Sequence, residues 1–283
     1  RNLAGERFED VALRQGVAFS LSGRPQAGMG VAVGDYDGNL LADLYVTNFA
    51  DDYSTLYRAE ARGFFVDVTQ SLGLAGPTMD KLAWGTGFED FDLDGDLELY
   101  AVNGHVYPQV DRFRIGTEYR QPVQLFEHDG KRFREPDGLG GSAFGVKGAG
   151  RGSATGDIDG DGDLDLLVEN IDGPPRLLRN DSACGGRLAL EVVGAGANRP
   201  AVGARVVLRV GARDQLRLVG LATGFLSSSD PTLVFGLGGA AQAESLVITW
   251  PSGRIEAFPG PFPAGSRLRL VERTDPPSLL ERR

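Results

Sequence analysis

The chain has 283 residues, 41 of them Gly and 15 Pro, and carries a formal net charge of −10. A surface this acidic argues against a nucleic-acid or anionic-membrane partner, because both require a basic face. No stretch is long and apolar enough to insert in a bilayer as a helix, and the single cysteine, Cys184, leaves no intrachain disulfide to form.

Taken in chain order, the first feature is an opening at Arg1-Asn2-Leu3 without an initiator Met. The same Leu-x-Arg-Asn point recurs inside a later unit, at Leu178-Arg179-Asn180. The chain is therefore expected to be a processed or excised piece with further units upstream. Phe8-Glu9-Asp10-Val11 then reads as a short strand. It returns as Phe65-Val66-Asp67-Val68 and, shortened, as Phe133-Arg134-Glu135.

Three acidic loops follow in one register. The first holds Asp35, Asp37, Asn39 and Asp43 at positions 1, 3, 5 and 9, with Leu41 at position 7. The second holds Asp90, Asp92, Asp94 and Glu98, with Asp96 at position 7. The third holds Asp157, Asp159, Asp161 and Asp165, with Asp163 at position 7. Hard cations such as Ca²⁺ take roughly six to eight oxygen ligands, and a folded-back loop supplies them from alternate residues. Position 7 would give its backbone carbonyl. Gly95 and Gly162 at position 6 permit the positive φ of the sharp turn. The first loop has Leu40 there, so it is expected to bind most weakly.

These are not EF-hands, which need a bidentate Glu at position 12 and flanking helices. Position 12 is Val46, Ala101 and Val168, and the flanks are β-branched and aromatic. Each loop has a Gly five residues before its first Asp (Gly30, Gly85, Gly152) and an Asn five residues after its last acid (Asn48, Asn103, Asn170). The unit period is 55 and then 67 residues, which suits a four-stranded propeller blade with loop insertions.

On these residues the region resembles the FG-GAP/VCBS repeats of calcium-binding β-propellers. The resemblance implies an all-β partial β-propeller over residues 1–183, incomplete because only three loops are visible. Between the second and third loops, Asn103-Gly104-His105-Val106-Tyr107-Pro108-Gln109 is a polar, aromatic segment after a strand. His105 reads as a loop histidine packed on Tyr107, with a role as ligand or general base as the sharper alternative. His128 reads as a solvated turn residue.

Beyond residue 184 the acidic loops stop. Short β runs appear at Leu188–Val193, Ala204–Val210, Gln215–Val219, Leu246–Trp250 and Leu268–Val271, and Trp250-Pro251-Ser252-Gly253-Arg254 reads as a tight turn. Asn198, Gly203-Ala204-Arg205-Val206, Gly224-Phe225-Leu226-Ser227, Ser229-Asp230-Pro231, Phe235-Gly236-Leu237-Gly238 and Trp250-Pro251-Ser252-Gly253 together resemble the ASPIC/UnbV domain. That implies a small all-β domain over residues 184–274, following propeller repeats as in the cartilage acidic protein family and its bacterial relatives. Asn103 to Pro108 and Gly150-Arg151-Gly152 also resemble that family's propeller. Residues 275–283 are expected to be a frayed tail.

Gly236-Leu237-Gly238-Gly239-Ala240-Ala241 imitates a dinucleotide fingerprint, but the next strand begins too soon for a crossover helix. Ser227-Ser228-Ser229-Asp230 has no His in its domain to act as base and reads as a polar loop. One Cys and two scattered His give zinc no ligand set. The expected function is a non-catalytic, Ca²⁺-stabilised module that binds a protein or glycan, in a secreted or periplasmic setting. The alternative, implied only by the UnbV-type resemblance, is an enzyme or accessory protein of enediyne-type secondary metabolism, with His105, Tyr107 and Arg151 as its site.

Overall fold

The computed structural model describes residues 1–283 apart from residues 4, 114, 137–140, 183, 184, 221, 222, 273–277 and 283. Cys184 and the domain boundary expected beside it lie outside the described residues.

The fold is all-β in its architecture. A two-stranded ribbon, β1 (Asn2–Leu3) and β2 (Arg7–Phe8), precedes three antiparallel meanders. The first is β3 (Val31–Gly34), β4 (Asp43–Val46), β5 (Thr55–Glu60) and β6 (Phe64–Asp67). The second is β7 (Ala83–Glu89), β8 (Glu98–Asn103), β9 (Gln124–His128) and β10 (Phe133–Arg134). The third has three strands, β11 (Gly150–Gly156), β12 (Asp165–Asn170) and β13 (Arg176–Leu178). Each acidic loop is the hairpin from the first strand of its meander to the second.

The meanders stack as propeller blades, with β3, β7 and β11 side by side. Alternation along each second strand decides which side chains meet the neighbouring blade. Tyr45 and Leu56 of the first blade pack with Phe88, Leu99 and Phe126 of the second. Tyr100, Val102 and Leu125 of the second pack with Leu166, Val168 and Leu178 of the third. Tyr45 and Tyr100 are fully buried, whereas Leu167 at the same repeat position is 41% exposed, since no described blade covers that face.

The C-terminal domain is a sandwich of two four-stranded sheets. Its strands are β14 (Gly186–Val193), β15 (Arg205–Val210), β16 (Arg213–Leu218), β17 (Leu233–Gly238), β18 (Gln242–Thr249), β19 (Ile255–Pro263), β20 (Ser266–Val271) and β21 (Ser278–Arg282). One sheet runs β17-β14-β20-β21 and the other β16-β15-β18-β19. Leu188, Leu190, Val206, Phe235, Leu246 and Trp250 fill the space between them. The tight turn after Trp250 forms as expected, with Gly253 donating to the Trp250 carbonyl at 2.9 Å.

Two expectations need correction. The residues read as a frayed tail include β21, which pairs antiparallel with β20. Covering an edge strand satisfies backbone groups that would otherwise be left open. His128 is not a solvated turn residue: it is half-buried at the end of β9, packed edge-on against Tyr36 at 5.3 Å and against Phe133 at 4.9 Å. In addition, β17 and β19 were not foreseen, because glycines interrupt the first run and a glycine and prolines the second.

Candidate metal centre

The hairpin geometry brings carboxylates together in all three loops. Asp35, Asp37 and Asp43 form one group, Asp90, Asp92 and Asp94 a second, and Asp157, Asp159 and Asp161 a third. Within each group, one ligand atom per residue lies within 4.8 Å of the others.

The acid at position 9 has a shared second role. Asp43, Glu98 and Asp165 each accept the N–H of position 2, from Tyr36 at 3.2 Å, Phe91 at 2.8 Å and Ile158 at 2.9 Å. The other oxygen of Asp43 accepts Ala59 N–H at 2.7 Å, and that of Asp165 accepts Asn180 N–H at 2.9 Å. Position 9 thus closes the hairpin, and in the first loop it also ties it to the third strand at Ala59. Glu98 and Asp165 fall outside the tight groups, unlike Asp43.

Positions 5 and 7 serve the turn. Asn39 accepts Leu41 N–H at 2.7 Å, Asp94 accepts Asp96 N–H at 2.7 Å and Asp161 accepts Asp163 N–H at 3.2 Å. The Asp96 side chain is ion-paired with Arg213, which leaves its backbone carbonyl as its candidate donor to a metal. Leu40 takes up the left-handed backbone at φ 63°, the conformation Gly95 adopts at the equivalent position. In the first loop Asp35 already accepts Asn39 N–H at 3.0 Å and Leu40 N–H at 2.9 Å.

Crowding of buried carboxylates shows in their acidity. Burial, reinforced by the charges of Asp92 and Asp90, pushes the Glu98 carboxyl up to about 9. Burial raises Asp43 to about 7 against its backbone hydrogen bonds. Burial raises Asp90 to about 6, opposed by Arg217. Asp90 is 1% exposed, and its Oδ1 has no hydrogen-bond partner. A buried, unpaired carboxylate oxygen is costly unless something fills the place. The donor set is hard oxygen throughout, which fits a Ca²⁺-type ion and not a thiolate- or imidazole-seeking one.

The C-terminal domain sits on these loops, a relationship that was not foreseen. Gly236 N–H donates to Asp90 Oδ2 at 2.9 Å, and Arg217 reaches the same oxygen at 3.3 Å. Gly238 N–H donates to the Leu93 carbonyl at 2.8 Å and Gly185 N–H to that of Asp92 at 3.0 Å. Arg205 donates to the Leu40 carbonyl at 2.8 Å and Arg187 to that of Asp161 at 3.4 Å. Of the arginines at every fourth residue, Arg205, Arg213 and Arg217 reach the loops, whereas Arg209 pairs with Asp214 in its own domain.

His105, Tyr107 and Arg151 do lie near one another, away from the acidic loops. Arg151 and the Nδ1 of His105 are taken up in local contacts, whereas Tyr107 is exposed. Arg151 donates to the carbonyls of Gly104 at 3.0 Å, Gly150 at 2.7 Å and His105 at 3.1 Å, and its guanidinium stacks on Trp84. His105 is buried, and its Nδ1 accepts Tyr107 N–H at 3.1 Å. Its ring contacts Tyr107, as expected, and also Phe49.

Comparison with known proteins agrees with this anatomy. Residues 194–277 match the ASPIC and UnbV family model. Cartilage acidic protein 1 of Xenopus tropicalis is 29% identical over 266 residues, 90% of this chain and 38% of that protein. The Mus musculus protein of the same name is 28% identical over 263 residues, 90% of this chain and 38% of that protein. The Homo sapiens protein is 27% identical over 239 residues, 81% of this chain and 34% of that protein. The chain therefore spans little more than a third of the relatives it matches.

Proposed function

We propose that this chain, which carries an ASPIC/UnbV domain on propeller blades, is a calcium-binding, non-catalytic interaction module. Its blades are read as FG-GAP/VCBS-type repeats, its partner as a protein or glycan, and its setting as secreted or periplasmic. The blade fold and the ASPIC/UnbV domain fit an interaction module. The name of the relatives, cartilage acidic protein 1, ties them to cartilage and to acidity, which fits such a setting.

One observation carries the calcium reading: three loops, at one register, each bring three carboxylates to within 4.8 Å. Without a cation, carboxylates this close repel one another. An ion bound only by the folded form stabilises it by RT ln(1 + [L]/Kd). Calcium would be held by Asp35, Asp37 and Asp43 in the first loop, by the acids of positions 1, 3 and 5 in the other two, and by the carbonyl of position 7. The test is thermal unfolding in Ca²⁺, Mg²⁺ and chelator. Ca²⁺ is expected to raise Tm reversibly and Mg²⁺ to do so much less, since its octahedral demand suits a flexible loop poorly. Equal melting curves in Ca²⁺ and chelator would end this reading.

A further inference from the structure

The free edge of β17 ends on the second acidic loop. β17 is an outer strand of its sheet, paired only with β14 among the named strands. Its alternate N–H groups at Gly236 and Gly238 point away from β14 and into the loop, at Asp90 and Leu93. A side chain at Gly236 would collide with Asp90 Oδ2 and the Leu93 backbone, so the approach is close. Arg217 lies beside this contact, buried between Asp90 and the face of Phe235, 5.3 Å from its ring centre. Gln215 also closes over the loop: its side chain donates to the Gly236 carbonyl at 2.7 Å and fills the space a Cβ on Gly95 would need.

The Asp90 carboxylate is therefore divided. Its Oδ2 belongs to the C-terminal domain, through Gly236 and Arg217. Its Oδ1 is buried and without a hydrogen-bond partner, and the carboxylate offers one of its oxygens within 4.8 Å of oxygens of Asp92 and Asp94. We infer that a cation at this loop, taken up through Asp90 Oδ1, fastens the C-terminal domain to the blades through Asp90 Oδ2. The inference rests on the calcium reading and adds an interdomain role to one of its sites. An ion on one oxygen fixes the plane of the carboxylate and so aims the other at Gly236. The coupling is reciprocal: docking of β17 must raise the ion's affinity by the factor by which the ion favours docking. The third loop offers no such division, since Asp157 is exposed and the C-terminal domain meets that loop at the Asp161 carbonyl.

The test is amide hydrogen exchange on the intact chain, with and without Ca²⁺, alongside calorimetry of Ca²⁺ binding. Residues 233–239 are expected to exchange at least about tenfold more slowly with Ca²⁺, while residues 245–249 in β18 of the opposite sheet stay unchanged. Asp90→Asn is expected to abolish that difference and remove one binding event, leaving the third loop's intact. Ca²⁺ binding without selective protection of 233–239, or with uniform protection of the whole domain, overturns the coupling and leaves the calcium reading standing. An Asp90→Asn variant that keeps every binding event also overturns it. No Ca²⁺ binding at all removes the calcium reading, and the coupling with it.

Discussion

Ser227 lies against Gly152 as Ser153 lies against Gly85. A Cβ on Gly152 would sit 2.7 Å from Ser227 Oγ, and one on Gly85 would sit 2.5 Å from Ser153 Oγ. Ser227 Oγ also accepts Ser153 N–H at 3.1 Å, and Ser229 Oγ accepts Thr155 N–H at 3.0 Å. Gly224 bridges to Val31 on β3, and Phe225 packs edge-on against Trp84 on β7. A segment of the C-terminal domain thus stands where the innermost strand of a following blade would stand. It shields the exposed edge of β11, which would otherwise invite pairing with another chain.

From this follows a ranking of two substitutions at one repeat position. Gly30→Ala drives a methyl into the Trp84 carbonyl, a backbone atom that cannot swing aside. Gly152→Ala meets Ser227 Oγ, which can rotate away at the loss of two hydrogen bonds, one accepted from Ser153 N–H and one donated to the Phe225 carbonyl. Overpacking of this kind costs about 1–3 kcal/mol. Gly30→Ala is expected near the top of that range and Gly152→Ala near or below its bottom, measured by urea unfolding at saturating Ca²⁺. The reverse order would show that the inner strands are looser than drawn.

The hairpins were legible because their chemistry is local. Acids at alternate positions, a glycine at position 6 and β-branched flanks specify a loop between strands without reference to the rest of the chain. Leu40 was legible for the same reason: its φ is positive, at 63°, as it is for Gly95 and Gly162 at the same position. The docking of the second domain was not legible. Arg217 and Asp90 are separated by 127 residues, and nothing near either residue names its partner. Gly236 stands in the run that imitates a dinucleotide fingerprint, yet its lack of a side chain is what lets β17 approach Asp90. Contacts of this kind depend on topology, which periodicity does not encode.

The first loop should be the weakest, and one change should strengthen it. Leu40 holds a left-handed backbone that costs a non-glycine residue about 1–2 kcal/mol. Leu40→Gly is expected to recover part of that, about 1 kcal/mol, less the entropy glycine adds to the unfolded chain. The gain should appear as tighter Ca²⁺ binding at the weakest of the calorimetric sites. Loss of affinity would mean that the leucine side chain, half-buried in the folded protein, contributes more by packing than its backbone costs.

Arg151 acts as a clamp between blades. Three carbonyls and the Trp84 ring use its whole guanidinium. A hydrogen bond from a charged group contributes about 1.5–3 kcal/mol net and stacking on an aromatic ring about 0.5–2 kcal/mol, and contributions from one side chain do not simply add. Arg151→Ala is expected to destabilise the fold by about 2–4 kcal/mol in chemical unfolding. Arg151→Lys should recover little of it, because a point ammonium cannot span three carbonyls in a plane. Full rescue by lysine would reduce the residue to a simple charge.

The acid groups set the pH dependence of the ion-free protein. Glu98 rises to about 9 and Asp43 to about 7 in the folded chain, each from burial first. A carboxyl with a raised folded value holds its proton more tightly when folded than when unfolded. Between the ordinary carboxylate range and the raised value, the folded state therefore binds more protons, and stability falls as pH rises. In chelator, Tm is expected to climb as pH is lowered from about 9 to about 6. Saturating Ca²⁺ should flatten that slope, because the ion favours the ionised carboxylates that low pH removes. A chelated protein whose Tm rises with pH over the same window would show that these acids are already compensated without a cation, and that crowding is not what the ion relieves.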